Sequence, residues 1–267
     1  MNVTRYDFRS PRLFVEDALS AGATIALGSK QAHYLRNVLR LKPDDAILAV
    51  NGRDGEWRAT LLAAGKGAKL AVAEQVRPQT AAPDLHYLFA PLKHERLDYM
   101  VQKAVEMGVS RLQPVTTRHT QVQRVNLERM RANAIEAAEQ CGILNIPEIA
   151  APLSFARALA ARKPDRLLVF CDEDAEVANP VAALNAARVP APAVLSLVPD
   201  SYPQDIEPLA VLIGPEGGFA EEERAALLKQ PNIVRLSLGP RILRADTAAV
   251  AALTLVQAVL GDWQKKT

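Results

Sequence analysis

Short runs rich in apolar residues, each bounded by turn signals, fill the first part of the chain and predict strands. Residues 13–15, 46–50, 57–62 and 70–76 read this way. Turn signals separate them: Lys42-Pro43-Asp44-Asp45, Asn51-Gly52-Arg53-Asp54-Gly55 and Gly65-Lys66-Gly67. One helix interrupts, over 30–39, with Ser29 as its N-cap. This is the pattern of a small β-barrel. The stretch 77–84, RPQTAAPD, has two prolines and no periodicity, and reads as a linker. From residue 85 the rhythm changes. A strand is expected at 85–90, then a helix carrying Leu97, Val101, Ala104, Val105 and Gly108 at helical spacing. Strands at 111–116, 166–171, 209–213 and 233–237 follow, with helices over 126–141 and 180–188 and after each of the last two strands. Such alternation implies an α/β fold with a mostly parallel sheet and helices on both faces. The expected division is a barrel over 1–78, a linker over 79–84 and an α/β domain over 85–267.

The last two strands end in turns rich in Gly and Pro. The first turn is Gly214-Pro215-Glu216-Gly217-Gly218-Phe219; the second runs from Leu238-Gly239-Pro240-Arg241 to Ala248. In an open α/β sheet, ligands bind at the carboxyl ends of the strands. Neither turn carries the dinucleotide or P-loop fingerprint. Glu216 sits inside the first turn, and Glu221, Glu222 and Glu223 open the helix behind it. Those carboxylates suit a helix N-terminus but oppose a bound phosphate. A neutral or cationic ligand, such as an adenosine-type sulfonium, fits better. One such turn alone would be an ordinary connection. Two, with Arg241, Arg244, Asp246 and Thr247 within seven positions, point to a site.

The final helix, from Ala248 on, has almost no polar face. It must be covered on all sides, either by a partner subunit or as a central core helix. About half of the 267 residues are apolar, enough for a sizeable core, yet no apolar run approaches the ~20 residues that cross a bilayer. The N-terminus carries Arg5, Asp7, Arg9 and Arg12 with no apolar stretch behind them, unlike a signal peptide. Cys141 and Cys171 lack C-x-x-C spacing and read as buried free thiols of a reducing compartment; four scattered histidines suggest no metal site. The net charge is only +2, but residues 1–78 hold 12 Lys and Arg against 8 Asp and Glu. This mild basic excess suits phosphate contacts or an ordinary solvated surface about equally.

The pair GPEGGF and LGPRILRADTA resembles the RsmE family of SPOUT-class methyltransferases. So do Pro11-Arg12-Leu13-Phe14-Val15, HYLRNVLR from His33 to Arg40, KHERLDYMVQKAVEMGV from Lys93 and EAAEQCGILNIPEI from Glu136. The resemblance spans nearly the whole chain from Pro11 on, in order. It departs at Asp246, where the family usually has Glu, and at Ile143, near a usual Arg. It implies a SPOUT-type parallel sheet with a C-terminal trefoil knot, a PUA-like N-terminal barrel, and a cytoplasmic homodimer with no membrane or metal requirement. The implied activity is methylation of uridine N3 in 16S ribosomal RNA of the small subunit, with S-adenosylmethionine as donor. Two rivals are another SPOUT activity, such as ribose 2′-O methylation of RNA, and a non-catalytic RNA-binding protein.

Uracil N3 must lose a proton before it attacks a methyl group, so catalysis needs a base or a cation that stabilises the ring anion. Arg244 is the expected cation, unless it pairs with Asp246 or a glutamate of the first turn. Glu216 and Asp246 are candidates for the base or for orienting Arg241 and Arg244, and Asp246 also fits the N-cap of the last helix. The expected donor site comprises Leu212, Ile213, Gly214, Pro215, Gly217, Gly218, Leu236, Leu238, Gly239, Ile242, Leu243 and Thr247. The expected RNA contacts are Arg12, the helix face of His33, Arg36 and Arg40, and Lys93, with Arg118 and His119 behind the second α/β strand as weaker additions.

Overall fold

The computed structural model describes residue 7 and residues 9–64, 67–122, 124–176, 178–187 and 208–264. Arg5, Gly65, Lys66 and Arg188, which entered the sequence reading, lie outside the described residues. By its internal contacts the chain forms two compact units: residues 1–81 with 135–146, and residues 82–134 with 147–267.

In the first unit, strands β1 (Arg12–Phe14), β2 (Thr24–Leu27), β3 (Ala46–Val50), β4 (Glu56–Ala64) and β5 (Gly67–Arg77) form one sheet in the order β1-β3-β4-β5-β2. β1 runs parallel to β3; the other pairs are antiparallel. Alternate residues, among them Leu13, Ile25, Ile47, Ala59, Leu61, Leu70 and Val72, fill one core together with Leu35. β2 escaped the sequence reading because four residues are too few to establish a period. Phe14 and Val50 point the other way and pack with Leu144, Ile135 and Ile146.

The predicted helix 30–39 divides into α1 (Ser29–His33) and a π-helical turn, Tyr34–Val38. Gly28 holds the N-cap position, and Ser29 is the first helical residue. The Leu39 N–H reaches back to the Tyr34 carbonyl, and Arg40 then takes a left-handed conformation with φ 58°. Arg40 therefore leaves the helix and does not share a face with His33 and Arg36.

The second unit contains β6 (Leu85–Phe89), α2 (His94–Glu106), β7 (Arg111–Thr116), the start of α3 (Leu127–Cys141), β8 (Glu148–Ile149), β9 (Leu153–Ser154) and α4 (Phe155–Ala161). It continues with β10 (Leu167–Cys171), α5 (Pro180–Ala186), β11 (Leu209–Ile213), α6 (Glu221–Leu228), β12 (Ile233–Leu236) and α7 (Ala245–Val259). The strands order as β12-β10-β11-β6-β7-β8, with β9 also on β7, and every pairing is parallel. β8, β9 and α4 were not anticipated; each strand has only two residues. β10 and β11 are near-continuous apolar runs, as expected of strands covered on both faces.

Within the unit, α7 packs on α2 and α5. Its buried polar residue, Gln257, donates to the Met107 carbonyl at 2.6 Å and accepts the Asp262 N–H at 3.1 Å. Val250, Ala251, Thr254 and Leu255 stay only partly covered, and Ala258 is exposed. No helix among the described residues is long and apolar enough to cross a membrane.

Candidate active site

β11 and β12 are not neighbours, because β10 lies between them. The loops leaving all three strands enclose one cavity of about 380 Å3. Its walls are Cys171 to Glu173 after β10, Ile213 to Gly218 after β11, and Leu236 to Leu243 with Ala245 and Ala248 after β12. Of the expected donor residues, ten line it. Leu212 and Thr247 do not. Leu212 alternates to the other side of β11 and joins a core with Phe170 and Phe219, while Thr247 is exposed on α7. Glu216 and Arg241 are on the wall; Arg244 is the N-cap residue of α7 and is not among the lining residues. Ile242 stands 90% exposed on the rim, a large apolar side chain left in water.

The β11 loop holds its shape through Phe219, which packs edge-on against Phe170 with ring centroids 6.1 Å apart. A Cβ at Gly214 would come within 2.9 Å of the Phe219 ring. Gly218 has φ +70°, and a Cβ there would fall 1.9 Å from the Glu173 carboxylate. Both positions thus favour glycine, Gly214 for packing against the ring and Gly218 for its conformation.

The site is acidic, but of the four glutamates the sequence singled out only Glu216 lines it. Glu223 turns away, accepting the Ala220 N–H at 3.1 Å and the Arg118 N–H at 2.9 Å. Glu221 pairs with Arg224, and Glu222 lies 3.9 Å from Arg118. The carboxylates at the cavity belong to Glu216, as the sequence suggested, and to the β10 loop, which the sequence reading passed over. Its signal was the run Asp172-Glu173-Asp174 directly behind an apolar strand. Asp172 is committed to Arg224 at 3.1 Å and Arg235 at 2.7 Å, and Arg224 also reaches Asp174 at 2.7 Å. Two of the three acids are thus paired with arginines. Glu173, more distant from Arg224 at 3.7 Å and partly exposed, offers its charge to the cavity. Neither cysteine is fully buried: Cys141 is exposed, and Cys171 is half-buried on the wall. Enclosure and the neighbouring Asp172 push the Cys171 thiol up to about 12, so it remains protonated.

A second, smaller cavity of about 80 Å3 lies on the far side of the same loop, with Pro215, Glu216 and Gly217 lining both. Lys93 and Arg96 from the start of α2, and His119 and Gln121 from the loop after β7, complete it. Arg96 is the residue the sequence reading missed. Its Nε and Nη2 donate to the two oxygens of Asp246 at 3.0 and 2.9 Å, and Nη1 donates to Glu216. Hydrogen bonding from Arg96 holds the Asp246 carboxyl below its usual range. Asp246 is therefore inside the first turn of α7, pairing with Arg96 and accepting the Thr247 N–H at 3.0 Å; it is neither the N-cap nor the partner of Arg244. The signal for Arg96 was a cation in the first turn of a helix, where the macrodipole disfavours one.

The expected RNA contacts separate. Arg12 is buried, with Nε 2.8 Å from Glu56, whose carboxylate also takes Arg77 at 2.7 Å. It braces the sheet and is withdrawn from any phosphate. Arg36 is half-buried and donates to the Gly67 carbonyl. His33, Arg40 and Lys93 are exposed, Lys93 in the second unit and the others in the first.

Comparison with known proteins agrees with this layout. Residues 79–257 match the RNA methyltransferase domain family, and residues 27–74 match the RNA methyltransferase PUA domain. Ribosomal RNA small subunit methyltransferase E of Rickettsia conorii is 29% identical over 92% of this chain and 94% of its own length. The protein of the same name from Synechocystis is 31% identical over 93% of this chain and 78% of its own. A putative methyltransferase from Legionella pneumophila, solved with bound S-adenosylmethionine, superposes with a TM-score of 0.75 at 26% identity, covering 95% of this chain and 99% of that one. With a parallel sheet whose three final loops surround one acidic cavity, a separate β domain and these matches at both ends, the chain belongs to the ribosomal RNA small subunit methyltransferase E family of RNA methyltransferases.

Proposed function

We infer that this chain transfers a methyl group from S-adenosylmethionine to N3 of a uridine in 16S ribosomal RNA of the small subunit. The carrying observation is the cavity of about 380 Å3, which has the size of a small-molecule site and mixes apolar walls with the carboxylates of Glu173 and Glu216. Those residues fit an adenosine-type sulfonium. Apolar surface from Leu236, Leu238, Leu243 and Ala248 suits a purine ring, the glycine-rich loops bring backbone groups close, and the carboxylates favour a positive ligand. When bound, the donor supplies an electrophilic methyl group on sulfur. The chain's own part is to orient that group, exclude water and prepare the uridine. Glu216 stands on the shared wall to orient Arg96, and Arg244, one residue past the Leu243 wall, is the further cation available to the RNA. The first unit, with its exposed His33 and Arg40, docks the RNA backbone, and Lys93 meets it near the catalytic loops.

The partly covered strip of α7 pairs with a second copy in this reading. The cytoplasmic location and the C-terminal trefoil knot implied by the family resemblance belong to the same proposal. Nucleoside mass spectrometry of ribosomal RNA from cells with and without the protein tests the assignment: loss of N3-methyluridine is expected, and loss of a ribose-methylated nucleoside instead would overturn it. Sedimentation tests the pairing.

A further inference from the structure

The second cavity shares Pro215, Glu216 and Gly217 with the proposed donor cavity as their common wall. At about 80 Å3 it holds several waters by volume and is roughly a fifth of the first cavity, which suits one flat ring. We propose that it receives the uracil ring of the target uridine, with His119 as the acceptor of the N3 proton and Arg96 as the group that stabilises the resulting anion. This deepens the methyltransferase reading and rests on it.

The case for His119 is its hydrogen bond. Nδ1 lies 3.2 Å from the Gly218 carbonyl oxygen, which can only accept, so Nδ1 carries the proton in that contact. In the neutral ring, Nε2 is then the lone-pair nitrogen. A backbone carbonyl thereby selects the tautomer and aims the ring, the arrangement used by histidine bases. The loop that supplies this carbonyl is the one that lines the donor cavity, and a Cβ on Gly217 would lie 3.4 Å from the His119 Cβ. Base and donor are thus located by a single turn of backbone.

The case for Arg96 is its remaining donors. Of five guanidinium N–H groups, three go to Asp246 and Glu216, leaving one on each of Nη1 and Nη2 without a partner among the described residues. Two fixed carboxylates hold the fork rigid, and its free hydrogens suit a carbonyl oxygen that gains negative charge. Lys93, at the N-cap of α2, has no carboxylate partner among the described residues and adds a second positive charge. Asp246 and Glu216 compensate Arg96 at the positive end of α2, whereas Lys93 there meets no such carboxylate among the described residues, and an anion forming in the cavity would offset its charge.

Uracil N3 gives its proton to His119 Nε2, and the charge left on the ring spreads over O2 and O4 beside Arg96. N3 then bonds to the methyl carbon as the carbon–sulfur bond breaks, with that electron pair staying on sulfur. The imidazolium releases its proton to water.

The test uses the full chain with small-subunit RNA. His119→Asn keeps a donor for the Gly218 carbonyl and removes the base; His119→Ala opens space for added imidazole. Both are expected to lose about 10²–10⁴-fold in methyl transfer, with unchanged donor affinity by calorimetry and an unchanged melting curve. Added imidazole restores part of the His119→Ala rate, and RNA containing 5-fluorouridine, whose N3 proton is more acidic, narrows the deficit. Arg96→Lys lowers the rate by about 10²–10³-fold, and without donor the fluorine resonance of bound 5-fluorouridine then reports a protonated ring where the wild type reports an ionised one. Wild-type rates in the His119 variants, or a deficit indifferent to imidazole and to 5-fluorouridine, would overturn the assignment. If the wild type itself makes no N3-methyluridine, the underlying methyltransferase reading has failed instead.

Discussion

Glu139, near the end of α3, accepts the Phe14 N–H of β1 at 2.6 Å. Burial pushes its carboxyl up to about 7 from 4.5; the Phe14 N–H opposes the shift and the neighbouring Glu136 adds to it. A raised folded-state value means that the folded chain holds this proton more tightly than the unfolded chain. The contribution to stability is therefore fully present below the unfolded value and is lost as the pH rises through the folded one. The shift from 4.5 to about 7 corresponds to about 3 kcal/mol, of which roughly 2–3 kcal/mol falls between about pH 5 and about pH 8. Glu139→Gln keeps an oxygen for the Phe14 N–H and cannot ionise. Urea unfolding of both proteins across that interval is expected to show the variant gaining stability over the wild type by this amount as the pH rises. The ionisation of Tyr34, raised by burial and by Glu139 and Glu136, should move back toward its ordinary value in the same variant. Parallel stability curves for the two proteins would refute the reasoning, because they would mean that the carboxylate is solvated in the fold.

Other substitutions probe the remaining claims. Gly218→Ala forces a side chain into φ +70° and against Glu173; about 1–2 kcal/mol of stability should be lost, and donor affinity by calorimetry should fall about tenfold or more. Glu56→Gln takes the anion from between the Arg12 and Arg77 guanidiniums, and about 3–5 kcal/mol is expected to disappear in denaturant unfolding. Arg40→Ala should weaken RNA binding and lower the salt-dependence slope by about one phosphate contact, whereas Arg12→Met should lower stability and leave that slope alone.

Elements were legible in this chain wherever a local period was long enough to register. β3, β7 and β11 fall where alternation and apolar runs put them, because side chains on a strand alternate faces whatever surrounds them. The two glycine-bearing turns were legible for a similar reason, since Gly214 and Gly218 are demanded by backbone and close packing within a few residues. The acidic character of the site was also readable from Glu216, though Glu221, Glu222 and Glu223 proved to be occupied elsewhere and Glu173 joins Glu216 in supplying the charge.

Strand order was beyond any such reading. Inserting β10 between β11 and β12 turns two loops into three and brings Glu173 opposite Gly218, and nothing within a window of a dozen residues encodes that insertion. The same holds for the fates of the arginines. Arg12 looked like a phosphate contact until Glu56, 44 positions away, was seen to bury it, and Arg96 drew no notice until Asp246, 150 positions away, was found to hold it. Short-range sterics and hydrogen bonding set which segments become helix or strand, so a sequence displays them directly. Which charges neutralise one another and which remain free for a ligand depends on distances that exist only after the sheet has assembled.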